Sequence, residues 1–156
     1  MPYSLDYVLR RMALLARHLP GCDPAYIAVI LLMELGVSTK YDGFEYLKCA
    51  IVMRFEDPRL CIAKEVYPAI SRQTAECVSE NQVERSIRNA IRAAFKCRDE
   101  EAWAHYFPAG PNGKVMRPSN AEFITRLARV LELWKGCCQA YERQSCSEEA
   151  MVWTER

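Results

Sequence analysis

Asn81, Arg85, Arg88 and Arg92 recur at steps of three and four residues between Ser79 and Cys97, so on a helix they share one face. Guanidinium groups in such a row attract anions, and each can also donate two parallel hydrogen bonds to O6 and N7 of a guanine. Opposite them, Val83, Ile87, Ala90, Ile91 and Ala94 make an apolar stripe. The start of the segment is marked too. Ser79 is suited to cap the free N–H groups, Gln82 to reach back to the cap, and Val78 and Val83 to form a hydrophobic staple. A helix that is capped, amphipathic and basic on its outer face has the form of a nucleic-acid recognition helix.

Other chemistry finds little footing. His18 and His105 are the only histidines, neither stands in a motif, and no glycine-rich phosphate loop occurs; no catalytic residue and no cofactor is expected. The eight cysteines include no Cys-x-x-Cys pair. Cys49, Cys61, Cys77 and Cys97 fall at apolar or boundary positions, where a reduced cysteine behaves as a small hydrophobe. Cys137, Cys138 and Cys146, with His18 and Cys22, lack metal-ligand spacing, so no metal is expected.

The chain of 156 residues is 51% hydrophobic and 26% charged, enough to bury one core, and its net charge of +1 excludes a uniformly polybasic binder. Basic character is local: residues 59–98 hold eight Lys and Arg against four Glu, whereas the part after Cys138 leans acidic. Asp6, Arg10, Arg11 and Arg17 interrupt any signal-peptide layout, and the longest apolar run, Ala25 to Met33, is too short to span a bilayer. A cytoplasmic protein without membrane contact is expected.

The elements needed to hold the basic helix follow from caps and periodicity. Leu5, Val8, Leu9, Met12, Leu15, Ala16 and Leu19 predict an amphipathic helix ended by Pro20-Gly21. Its stripe packs either on its own domain or on a second copy as a dimer seam. Asp23-Pro24 opens an apolar second helix that Leu35-Gly36 stops, and Phe44, Leu47, Ile51 and Phe55 mark a third. Asp57-Pro58 predicts the start of a fourth helix, and Pro68 predicts a restart into a short fifth that ends near Ala75. After the turn Glu76 to Val78 comes the basic helix, at about 80–97. Asp99 caps another through Tyr106; Pro108 to Gly113 is a loop; Ser119-x-x-Glu122 is a second capping box, opening a last helix with Phe123 and Trp134 in its core stripe and a stop at Gly136. The expected fold is all-α, a multi-helix domain containing a helix-turn-helix, winged-helix-like but without an evident wing. It divides into an N-terminal helical element (1–21), the helix-turn-helix domain (22–136) and a C-terminal tail (137–156).

Five segments in order, Glu34-Leu-Gly-Val37, Gly43-Phe-Glu-Tyr-Leu47 with Ala50-Ile51, Val66-Tyr-Pro68, Val83-Glu-Arg-Ser-Ile-Arg-Asn-Ala-Ile91 and Pro118-Ser-Asn-Ala-Glu-Phe-Ile124, resemble the C-terminal DNA-binding effector domain of the stage zero sporulation response regulator A. The resemblance runs from about Tyr26 to Trp134. It implies a transcription regulator that reads short TGTCGAA-like promoter boxes in double-stranded DNA through its helix-turn-helix and contacts RNA polymerase. It also implies base contacts from Glu84, Arg85 and Arg88. A carboxylate accepts from the N4 amine of cytosine, so Glu84 among arginines is consistent with base reading. Asn81 joins them as a flanking base reader, and Arg92, Asn89, Lys114 and Arg117 are assigned to phosphates.

The connection between Ile70 and Val83 is about two residues longer than in that family, and the residues before Tyr26 are too few for a phosphoacceptor receiver domain. The chain therefore reads as an effector domain alone, not switched by phosphorylation in cis, and Met1 argues for a complete small protein. A homodimer through the N-terminal helix is one consequence. The alternative function is a receiver-less interaction module, an antagonist that pairs with a full-length regulator or RNA polymerase without reading DNA.

Overall fold

The computed structural model describes residues 5–154, with side chains to residue 148. Seven α-helices are present among them: α1 (Leu5–His18), α2 (Pro24–Glu34), α3 (Asp42–Glu56), α4 (Tyr67–Gln73), α5 (Glu80–Lys96), α6 (Glu100–Tyr106) and α7 (Asn120–Thr154). No strand accompanies them among the described residues; the only pairing outside helices is a single antiparallel bridge between Ala109 and Val115. The fold is all-α, as the sequence predicts. None of the described helices is long and apolar enough to cross a membrane.

One core runs through the molecule. Leu31, Leu32, Leu47, Ile51, Ile87, Ile91, Phe123 and Leu127 are fully or almost fully buried, contributed by α2, α3, α5 and α7. Trp103 packs against Phe95, Phe107 and Phe123 and donates from its indole to the Leu35 carbonyl at 3.0 Å, which satisfies a free carbonyl at the end of α2. Of the predicted α1 stripe, Val8, Met12, Leu15 and Ala16 are buried within their own chain and Leu19 is half-buried against the core, whereas Leu5 and Leu9 are exposed; the greater part of the stripe packs on its own domain.

Local signals failed in three places. Asp57-Pro58 opens a turn rather than a helix: Leu60 N–H donates to the Asp57 carbonyl at 3.2 Å, while the Asp57 carboxylate accepts from Arg59 N–H at 3.1 Å instead of capping a helix. Helical structure begins only at Ile62, as a π-turn over Ile62–Val66 whose first amide, at Cys61, is taken by Glu65 at 2.6 Å. The short helix expected from Pro68 is present as α4, with the proline in its first turn, but no break precedes it. The widened π-turn runs directly into α4, with Val66 N–H reaching Cys61 O at 3.2 Å. A wider turn moves the carbonyls that a proline ring would strike in a regular helix.

The expected stop at Gly136 is also absent. Gly136 lies inside α7, exposed and helical, because Trp134 and Cys138 on either side are buried and their packing outweighs about 1 kcal/mol of glycine penalty. The backbone remains helical to Thr154, through Ser147 to Glu149. Residues 1–4 of the expected N-terminal element and 155–156 of the expected tail lie outside the described residues.

Candidate nucleic-acid interface

The basic helix is α5, and its first turn is built as the sequence predicts. Ser79 Oγ accepts from Gln82 N–H at 3.2 Å, and the Gln82 side chain accepts from Ser79 N–H at 2.9 Å. Val83, Ile87, Ala90, Ile91 and Ala94 are the buried residues of the helix. Asn81, Arg85, Arg88 and Arg92 are exposed; at 100° per residue they fall within about 60° of one another around the axis. Asn89 and Lys96 are exposed at the margin of the same face. Glu84 stands at the other margin, half-buried, where its carboxylate is 3.1 Å from the Arg88 guanidinium.

Six residues, 74–79, connect α4 to α5. Ser71 Oγ donates to the Val78 carbonyl, Thr74 Oγ1 donates to Ser71 O at 2.9 Å and accepts from Val78 N–H at 3.3 Å. The turn is thus stitched by side chains rather than held by the tight three-residue link expected over Glu76 to Val78. Within it Cys77 takes a left-handed conformation, φ +53°, which a residue with a Cβ adopts at a cost of about 1 kcal/mol.

Behind α5 the packing is close. A Cβ built on Gly43, at the start of α3, would lie 2.2 Å from the Ser86 carbonyl oxygen and 2.8 Å from Ala90 Cβ. Only glycine lets α3 approach the recognition helix this nearly. The family-like segment beginning at Gly43 therefore carries a geometric meaning that its letters alone do not reveal.

The start of α7 adds a second wall. Ser119 and Glu122 form the second capping box, with hydrogen bonds of 3.2 Å in both directions. Asn120 Nδ2 donates to the Tyr67 hydroxyl at 3.2 Å and to the Glu84 carbonyl at 3.1 Å, joining α4, α5 and α7. Burial is the main cause that pushes the Tyr67 phenol above its ordinary pKa. Glu84, Arg88, Arg117 and Ser119 line one open cavity of about 330 Å³ between α5 and α7. Arg117 thus stands beside Arg88, with the capped start of a long helix behind it, a combination suited to an anion.

The segment 107–117 folds back on itself through the Ala109–Val115 bridge, with Gly110 N–H donating to Lys114 O at 2.7 Å. Its anchor is Glu100: one oxygen accepts from Val115 N–H at 2.6 Å and the other from Arg98 Nε at 2.6 Å. The Val115 hydrogen bond, first, and the Arg98 partnership hold the Glu100 carboxyl below the usual carboxylate range. Lys114 is exposed on this hairpin, close enough to Glu100 to lower its pKa further.

Of the eight residues proposed from the sequence, the structure brings Glu84, Arg88 and Arg117 to one cavity, while Lys114 lies beside Glu100. Asn81, Arg85, Arg88, Asn89 and Arg92 share the outer side of α5, Glu84 borders it, and Arg117 and Lys114 arrive on the hairpin. Tyr67 and Asn120 were missed. They lie 53 positions apart in the chain, and no local pattern connects them. Neither histidine joins the site, since His105 stacks on the Tyr7 ring at 3.6 Å and His18 ends α1. No group of three or more metal-ligating side chains occurs among the described residues.

The elements that make up this face, from α2 to the first three turns of α7, coincide with the part of the chain that a known family describes. Residues 28–131 match the family model of the sporulation initiation factor Spo0A C terminal, leaving outside it α1 and the far part of α7. The chain belongs to that family, whose domains bind DNA to regulate transcription and are not enzymes.

Proposed function

We propose that this domain recognises a short TGTCGAA-like box in double-stranded DNA by placing α5 in the major groove. The carrying observation is the exposed row Asn81, Arg85, Arg88 and Arg92 on a helix capped at its start and backed by the core. Arg85 and Arg88 grip guanine edges, Glu84 accepts from a cytosine amine, and Asn81 reads a flanking base. Arg92, Asn89, Lys114 and Arg117 hold phosphates on either side, fixing the register in which the bases are read. In the free chain Glu84 and Arg88 pair with each other, so they enter the groove as one preorganised unit. Bases that cannot satisfy both leave a buried charge unpaired, which penalises wrong sequences. Contact with RNA polymerase belongs to the same proposal.

A second reading takes that ion pair as the resting state of a surface that no longer reads DNA, leaving an interaction module that antagonises a full-length regulator. A salt-dependent gel shift separates the two. Sequence reading requires that a TGTCGAA-type duplex be retained in preference to a scrambled one; equal affinity for both rejects it.

Dimerisation through the N-terminal helix enters this proposal in altered form. Most of the predicted seam stripe is buried; what α1 still exposes is Leu5 and Leu9 at the edge of that stripe and Leu14 on the opposite side.

A further inference from the structure

The two segments outside the family match, α1 and the far part of α7, come from opposite ends of the chain and meet. Arg10, Leu14 and Arg17 of α1 and Cys137, Tyr141 and Gln144 of α7 line an open groove of about 460 Å³. Leu14 is 49% and Tyr141 42% exposed, so the groove presents apolar side chains to solvent between two arginines. Cys138 is the last buried side chain described in α7. Beyond it the helix continues to Thr154, about 24 Å at 1.5 Å per residue, and every side chain described there, Gln139 to Glu148, is exposed. A helix in that position gains little from packing, the usual source of helix stability in proteins.

Charge identifies what covers it. Tyr141, Gln144 and Glu148 follow at steps of three and four on one face of α7. That face carries Glu148 at its far end, whereas the groove it continues from is bordered by Arg17 and by Arg10, which in the single chain pairs at the exposed surface with Asp6 at 3.0 Å and exchanges that partner on pairing. A two-fold axis near Tyr141 that sets two α7 extensions antiparallel therefore lays Glu148 of each copy over the arginines of the other, with the tyrosines between. One patch supplies both halves of the complementarity, as an isologous interface requires.

We propose that this groove is the contact between two copies of the chain, paired through α1 and the α7 extension. The pairing deepens the dimer element of the proposed function, yet it forms without DNA. Two helices side by side, roughly 20 Å wide over about 24 Å, give a footprint of about 500 Å² per copy, under the roughly 800 Å² of a standard interface. The dimer is accordingly weak in solution and strengthened where two DNA boxes hold two copies close together.

Sedimentation equilibrium of the full chain tests it. The mass should rise from 18.0 kDa toward twice that value as the concentration reaches about 100 µM. Arg10→Glu with Arg17→Glu should weaken pairing by about tenfold or more, Glu148→Arg alone should weaken it too, and all three together should recover it. Tyr141→Asp, at an exposed position on the projecting helix, should abolish pairing with an unchanged circular dichroism spectrum. A monomer throughout the range overturns the proposal, as does a dimer indifferent to these changes or one that the combined reversal fails to recover. Binding to a single DNA box is measured alongside: its loss with the dimer intact refutes the DNA reading alone, and its survival without a dimer refutes the pairing alone.

Discussion

Arg85 sits almost opposite the buried stripe of α5 and, among the described residues, has no ion pair, whereas Arg117 stands at the edge of the interface beside the start of α7. The difference in place predicts a difference in phenotype. Arg85→Ala should cost about 1–3 kcal/mol on the specific box and little on scrambled DNA; Arg117→Ala should weaken both and reduce the salt slope by about one. Gel shifts at three salt concentrations resolve this, and equal losses from Arg85→Ala on both duplexes would make that residue a phosphate contact. Glu100 offers a pH-dependent test. Its folded-state pKa is depressed, chiefly by the Val115 hydrogen bond, so its contribution is present above the ordinary carboxylate pKa of about 4.3 and is lost as pH falls through the lower folded value. Protection of the Val115 amide against hydrogen exchange should therefore fall below about pH 4, and Glu100→Gln should lower it already at neutral pH. Unchanged protection in the variant would show that the hairpin does not depend on this carboxylate.

At the scale of elements, the position of α5 depends on two backbone details with opposite consequences. Gly43→Ala would drive a Cβ into the Ser86 carbonyl, so α5 must move away from α3. We expect a loss of about 1–3 kcal/mol in urea unfolding, typical of overpacking, and weaker specific DNA binding with it. Cys77→Gly relieves the left-handed residue of the turn and should raise stability by up to about 1 kcal/mol, less the entropy that glycine adds to the unfolded chain. A destabilised Cys77→Gly variant would show that the turn gains more from chain stiffness than it loses to strain. The same elements show what a sequence can and cannot reveal. Both capping boxes, Ser79 with Gln82 and Ser119 with Glu122, were legible because each is completed within four residues. Asp57-Pro58 misled because its carboxylate had a competing local partner in the Arg59 amide, and Gly136 misled because burial of Trp134 and Cys138 overrode propensity. The row on α5 was legible from spacing; the Asn120 link to Tyr67 and Glu84, which fixes that row relative to α7, depends on contacts between distant segments.

At the scale of the molecule, α1, which lies outside the family segment, is firmly attached. Glu34, at the end of α2, accepts from Tyr7 of α1 at 3.2 Å and from Tyr106 of α6 at 2.9 Å. The Arg11 guanidinium lies 3.7 Å away, an ion pair too long to be a hydrogen bond, which leaves its buried Nε without one. Burial, and then the Glu34 charge, push the Tyr106 phenol far above its ordinary pKa. Glu34→Ala strands that hydroxyl and should cost about 1–3 kcal/mol, with α1 amides exchanging before those of α3 and α5. Coincident exchange of all helices would mean that α1 is secured by apolar packing alone. One further property follows from α7 being a single helix of 35 residues. At about 52 Å it is a stiff lever whose near end is tied to the recognition helix by Asn120 and whose far end projects past the core. A tilt of about 5° at Asn120 sweeps the far end through roughly 4.5 Å, a displacement near one helical turn. Whatever grips the end at Thr154 therefore senses, and can restrain, small changes in how α5 is seated in its groove.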